Sequence, residues 1–269
     1  MHRLKTVAAE RIGNELLKTV SAPYAYEALC QDEGRIIRYL VPELDATYGV
    51  AQNNRYHNAD VFHHTLNALK NVQTCHEFPD EWADKYVCMA LLLHDIGKPK
   101  SKTTDENGVD HFYGHSQVSA ELAKEVLKKF RYSNEFIDAV VQLVAAHDIE
   151  FNPTRACVRR RVGRFGVEQL HRLLKIRECD NRAHAQPALV KFDKQAKLFA
   201  GILQQVLDEQ PVFSRKNLAV NGNDLIAIGY KVGPQIGKTL NELLDEVIAE
   251  HIPNDKQILL QQAQRLLSI

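Results

Sequence analysis

The chain lacks most of the features that place a protein quickly. Its five cysteines (Cys30, Cys75, Cys88, Cys157, Cys179) are odd in number, widely spaced and free of CxxC pairs, which argues against a disulfide framework and against a thiolate zinc site. There is no excess of charge, 34 Lys and Arg facing 34 Asp and Glu, so the broad attraction of a dedicated nucleic-acid binder is missing and a polyanion must meet a local patch. No apolar run is long: the longest, residues 87–93, is far short of the roughly 20 residues a bilayer crossing needs. Residues 1–20 carry charges throughout where a signal peptide would have an apolar core. A cytoplasmic protein with no membrane partner is expected. Internal repeats and low-complexity tracts are absent as well.

What is present is an ordinary globular composition, 45% hydrophobic and 25% charged, with apolar residues at helical spacing along most of the chain. Residues 3–20 and 25–40 read as helices, ended by Pro42, and residues 61–72, 82–94, 116–130, 134–147, 167–184 and 192–208 continue the pattern. Between Lys102 and His115 the pattern changes. Thr, Val, Phe and Tyr surround Asn107-Gly108, a strong hairpin signal. The expected fold is all-α, a helical bundle with one small β-hairpin and helical N- and C-terminal extensions. Three segments are expected: a helical cap over 1–50, a core over 51–210, and a helical tail over 211–269 packed on the core, with a linker at 211–217 and a glycine-rich turn at 229–237.

Histidine is the unusual component, with twelve residues lying mostly between His57 and His184. His94-Asp95 ends an apolar helix just before Gly97 and Pro99, and a buried apolar helix rarely ends in a polar pair without a partner for it. His64 lies on a predicted helix, His115 begins one, His147 ends the next, and Asp180 closes the series. Any one of these histidines alone is more often a helix cap or a core residue than a ligand; the order H, HD, H, H, D is what carries specificity. Four imidazoles and two carboxylates suit iron, manganese, nickel, cobalt or zinc, and disfavour calcium.

That order resembles the signature of HD-superfamily metal-dependent phosphohydrolases. The stretches YHNADVFHHTL, LLLHDIGKP, HFYGHSQVSAELAKEVLKKFRYSN, LVAAH and LAVNGNDLIAIGYKVGPQIGKTLNELLDEVI are similar to the C-terminal half of bacterial CCA-adding tRNA nucleotidyltransferases and their poly(A) polymerase relatives. The resemblance covers nearly the whole chain. It implies His64, His94, Asp95 and Asp180 as the HD ligands, and His115 and His147 as the extra histidines of two-metal members. Family members polymerise nucleotides with an N-terminal head carrying a Gly-Ser motif and an Asp-x-Asp pair; the sequence begins downstream of any such head, so a stand-alone hydrolytic module is expected. Related HD portions are associated with phosphatase and 2′,3′-cyclic phosphodiesterase activities.

The expected chemistry is hydrolysis of a nucleotide or RNA-derived phosphoester by a metal-activated hydroxide, with two divalent ions bridged through Asp95 and no organic cofactor. Asp95 and Lys98 are the expected catalytic residues. Lys98, His111, Arg159, Arg160 and Arg161 are the expected substrate contacts, the arginines as a local seat for phosphate. The bland reading of each is a solvated helix end or a charged surface. His57, His63 and His184 remain as neighbours of the ligands or as surface and core residues. GYKVGPQIGK could present backbone amides to phosphate, or serve packing alone. The alternatives in function are a non-catalytic tRNA- or RNA-binding module, and a partner subunit for a separate nucleotidyltransferase.

Overall fold

The structure, a computed structural model, describes residues 8–54, 56–209 and 214–267, and only the backbone over 186–193. The start of the expected helix over 3–20 and residues 211–213 of the expected linker lie outside the described residues. In chain order the elements are α1 (Ala9–Val20), α2 (Ala25–Cys30), α3 (Arg35–Leu40), α4 (Pro42–Asp45), α5 (Val61–Asn71), α6 (Lys85–Leu93), α7 (Lys98–Ser101), β1 (Thr103–Thr104), β2 (Asp110–His111), α8 (His115–Lys129) and α9 (Asn134–Ala146). They continue with α10 (Arg155–Phe165), α11 (Val167–Arg182), α12 (Gln186–Asp208), α13 (Gly222–Ala227), α14 (Pro234–Ile248) and α15 (Lys256–Leu267). This is the expected all-α bundle with one small hairpin. Two compact units are formed, one from the chain up to Glu150 with His171–Lys194, the other from Phe151–Leu170 with the chain from Gln195 onward. Among the described residues no helix is long and apolar enough to cross a membrane.

The first unit is organised around α6. Its residues Val87 to Leu93 are all buried, which is why the sequence shows no polar stripe there: a helix surrounded by others has no face to give to water. α5, α8, α9 and α1 pack around it, and each fully buried leucine or valine contributes about 1.5–3 kcal/mol. The side chain of Asp84 sets where α6 begins, accepting from the amides of Tyr86 and Val87, as Asp60 does for α5 and Ser133 for α9; such caps contribute about 1 kcal/mol each. The hairpin pairs Thr103 with His111 and Thr104 with Asp110, and Gly108 takes the positive φ of 76° that its turn requires. Asp110 ties the hairpin to the segment before α5, its Oδ2 accepting from the amide of Asn53 at 2.8 Å.

In the second unit Leu218, Val220, Leu225, Tyr230, Leu243, Val247, Leu259 and Ala263 form the core. The Tyr230 hydroxyl donates to the carbonyl of Ala263 at 2.8 Å, so its polar end is satisfied where the ring is buried.

α11 carries a feature that its helical periodicity conceals. Lys175 is fully buried, and its Nζ donates to the carbonyls of Cys75 (2.7 Å) and Phe78 (3.2 Å) and pairs with Glu178 at 3.0 Å. The lysine thereby fastens the loop after α5 to α11. Removing one member of a buried pair leaves the other uncompensated, so Lys175→Met is expected to destabilise the protein by about 3 kcal/mol. Denaturant unfolding measures this, and a change under about 1 kcal/mol would show that the pair is dispensable.

Candidate metal centre

Helix ends deliver the polar groups of the first unit to one place. His94 follows α6 as its C-cap residue, with Asp95 next in the turn. Gly97 lets that turn close against the start of α8: a Cβ there would lie 2.5 Å from the amide nitrogen of Ser119 and 2.7 Å from the carbonyl oxygen of His115. His115 opens α8 after Gly114, whose φ is 72°. His147 is the C-cap residue of α9, His64 sits in the first turns of α5, and Asp180 lies near the end of α11. His64, His94 and Asp95 are each 1% exposed, His147 3% and Asp180 5%.

The six donors fall into two groups that meet at Asp95. In the first, His64 Nε2 is 2.9 Å from Asp180 Oδ1 and 3.6 Å from Asp95 Oδ2, while His94 Nε2 is 3.2 Å from Asp95 Oδ2 and 3.4 Å from Asp180 Oδ1. In the second, His115 Nε2 is 3.3 Å and His147 Nε2 3.8 Å from Asp95 Oδ1, and the two nitrogens are 3.1 Å apart. Donors held about 2.1 Å from one ion at angles of about 90–110° lie about 3.0–3.4 Å from each other. The spacing therefore fits one cation in each group, with one carboxylate oxygen of Asp95 directed to each.

Three of the imidazoles are set for that role from behind. The Nδ1 positions of His94, His115 and His147 lie 2.7, 2.9 and 2.7 Å from the carbonyl oxygens of Leu91, Phe112 and Val144. A carbonyl can only accept, so each ring carries its hydrogen on Nδ1 and presents Nε2 to the centre. Although Asp95 Oδ2 lies 2.7 Å from Lys98 Nζ and 3.2 Å from His94 Nε2, neither oxygen of Asp95, nor His94 Nε2, makes a hydrogen bond of acceptable geometry. The distances report charge attraction and the angles report missing partners. Three orphaned polar atoms at the middle of a buried cluster are what a cation would satisfy.

The charges are strongly coupled. Burial is the largest influence on His94 and pushes its pKa down, but Asp95 and Asp180 together outweigh it and lift it to about 10. Burial likewise raises Asp95 and Asp180, yet His94 and Lys98 around the one, and His184, His64 and His94 around the other, hold both well below the usual carboxylate range. Burial and His94 push His147 down to about 4. Without a cation, then, the centre keeps a proton on His94 between two carboxylates.

The other residues singled out in the sequence are placed as follows. Lys98 is 5% exposed and points inward to Asp95 Oδ2, Gln52 Oε1 (2.8 Å) and His57 Nε2 (3.5 Å). His111 faces Asp105 Oδ2 at 3.0 Å and stacks on Tyr113. Arg159, Arg160 and Arg161 lie on α10 in the second unit; Arg159 pairs with Glu250 at 2.7 Å, and Arg160 Nε donates to the carbonyl of Ala156. His57 and His184 stand beside His64, their ring centroids 5.0 and 4.9 Å from it. Burial, reinforced by Lys98, takes His57 down to about 2, and burial takes His184 to about 4. Gln52, which orients Lys98, carried no signal, being one polar residue in a polar loop.

Because His94 holds a proton below about 10, a cation entering the first group must displace it. Calorimetric titration with Co2+ at neutral pH, in buffers of different ionisation heat, is expected to show about one proton released per chain at that position and tighter binding as pH rises. Binding that releases no proton would contradict the arrangement.

Known proteins give this geometry a context. Residues 103–263 match the family model described as tRNA nucleotidyltransferase domain 2. The chain is 31% identical over 249 residues to the A-adding tRNA nucleotidyltransferase of Deinococcus radiodurans, which covers 90% of this chain and 55% of that protein. It is 27% identical over 241 residues to the CC-adding tRNA nucleotidyltransferase of Thermus thermophilus, 88% of this chain and 52% of the relative. The CCA-adding enzyme of Lacticaseibacillus paracasei is 32% identical over 137 residues, half of this chain and 29% of the relative. The chain spans about half the length of the first two. With the family model matching more than half of its residues, the chain belongs to the tRNA nucleotidyltransferase domain 2 family.

Proposed function

We propose that the first unit is an HD-type, metal-dependent phosphohydrolase that cleaves a phosphoester of a nucleotide, with 2′,3′-cyclic nucleotides and nucleoside phosphates as the favoured substrates. The observation that carries the reading is Asp95, a buried carboxylate whose two oxygens each face a separate set of imidazole donors. Divalent transition-metal ions supply two things in such a setting: Lewis acidity towards phosphate oxygens and a lowered pKa of water.

This chain's own residues do the rest. His64, His94 and Asp180 hold one position, His115 and His147 the other, and Asp95 serves both. The backbone carbonyls behind His94, His115 and His147 fix those rings, so little is lost to reorganisation when a substrate binds. Lys98, held by Gln52, keeps a positive charge against Asp95 in a site from which bulk water is excluded, where its attraction is worth more than at the surface. His115, with its side chain 14% exposed, is the most open of the six donors, and the substrate phosphate approaches on that side.

A second reading draws on the relatives, whose names describe tRNA nucleotidyltransferases. Under it the chain is an RNA-binding module or a partner of a nucleotidyltransferase, and RNA is its ligand. Turnover separates the two. The protein loaded with Mn2+, Co2+, Ni2+ or Fe2+ is expected to hydrolyse bis(p-nitrophenyl) phosphate and at least one cyclic nucleotide or nucleoside monophosphate. Asp95→Asn is expected to lower the rate by at least about a hundredfold, beyond what loss of an outer partner of a metal ligand costs. Tight tRNA binding with no turnover under any metal would overturn the hydrolase and leave the binding module.

A further inference from the structure

The two positions differ in how a cation could reach them. His115 opens the second group to solvent, with its side chain 14% exposed. The donors of the first, His64, His94, Asp95 and Asp180, are at most 5% exposed. Beside that first group stand two partly exposed histidines, His57 and His184. One ring nitrogen from each of His57, His64 and His184 lies within 4.8 Å of the others. The rings of His57 and His184 meet edge to face at 4.5 Å and 75°, and those of His57 and His64 at 5.0 Å and 68°.

Each ring can offer a lone pair, that of His57 in exchange for its 3.5 Å contact with Lys98 Nζ. His57 Nδ1 donates to Asn54 Oδ1 at 2.9 Å, which leaves Nε2 as an acceptor, the same device that sets the ring nitrogens of the buried ligands. His184 Nδ1 is buried and makes no hydrogen bond. His64 is common to this triad and to the group it forms with His94 and Asp180. We infer that His57 and His184 are a capture position, which takes a divalent transition-metal cation from solvent and passes it by way of His64 to His94, Asp95 and Asp180.

Two observations favour transit over storage. The Lys98 ammonium is 3.5 Å from His57 Nε2, a like charge that disfavours a resident cation. The buried group offers two carboxylates and the outer triad none, so the ion gains charge compensation as it moves inward. The inference rests on the metal-centre reading above.

Rapid mixing of the metal-free full chain with Co2+, followed by visible absorption, tests it. The phase belonging to the first position is the one that His94→Ala removes. His57→Gln and His184→Gln, singly and together, are expected to slow that phase about tenfold, equivalent to about 1.4 kcal/mol on the uptake barrier. Release to a chelator slows by the same factor, and the number of Co2+ ions bound at equilibrium stays the same. The singles carry the test if the double variant fails to fold, as far-UV circular dichroism reports. Unchanged rates would overturn the capture position, and so would a lower Co2+ stoichiometry, which would mark the triad as a storage site. A wild-type chain that binds no Co2+ would instead overturn the metal centre itself.

Discussion

A carboxylate taken out of water must be compensated, and the first unit is arranged around that requirement at Asp95. With 1% of its surface exposed, it forfeits hydration worth several kcal/mol. The surroundings return this through Lys98 at 2.7 Å and the His94 imidazole at 3.2 Å. Those groups supply charge but not hydrogen bonds of good geometry. The result is a buried centre balanced in charge and incomplete in coordination, a condition that a cation resolves and a purely structural ion pair would have no reason to keep.

The remainder of the unit serves to hold that incompleteness in place. From Val87 to Leu93 α6 is buried on every face, so a shift to relieve it would disturb the packing around the helix. The ends of α6, α8 and α9 bring polar residues to where their backbone carbonyls can aim the rings. The segment before α5 is fastened to the hairpin through Asp110 and Asn53, and from that anchored position Gln52 reaches Lys98. Lys175 and Glu178 secure the helix that carries Asp180. Stability is thus spent on precision around one carboxylate.

Much of this was legible in the amino-acid sequence because its causes are local. Helical spacing marks α5, α6, α8 and α9, Asn107-Gly108 marks the hairpin, and a polar pair closing the apolar run at His94-Asp95 marks the centre. The rest depends on partners far along the chain. Arg159 stands in a basic run that reads as solvated surface, yet it is 8% exposed and paired with Glu250. The helix around it, α10, is too rich in arginine for its buried Val158 and Val162 to stand out. Lys98, expected either on a substrate phosphate or as a solvated helix-end lysine, lies buried, with Gln52 accepting from its ammonium and the Asp95 carboxylate beside it as counter-charge. Likewise Phe151–Leu170 groups with the chain beyond Gln195, although Glu150 and His171 on either side belong to the first unit. Consecutive reading has no means of expressing such an association.

The measurement that bears most directly on the account is anomalous diffraction at the metal edge from crystals grown with Mn2+ or Co2+. Two peaks are expected, about 4 Å apart, one on the His64, His94 and Asp180 side of Asp95 and one on the His115 and His147 side. An empty centre under saturating metal, or peaks only elsewhere on the protein, would contradict it.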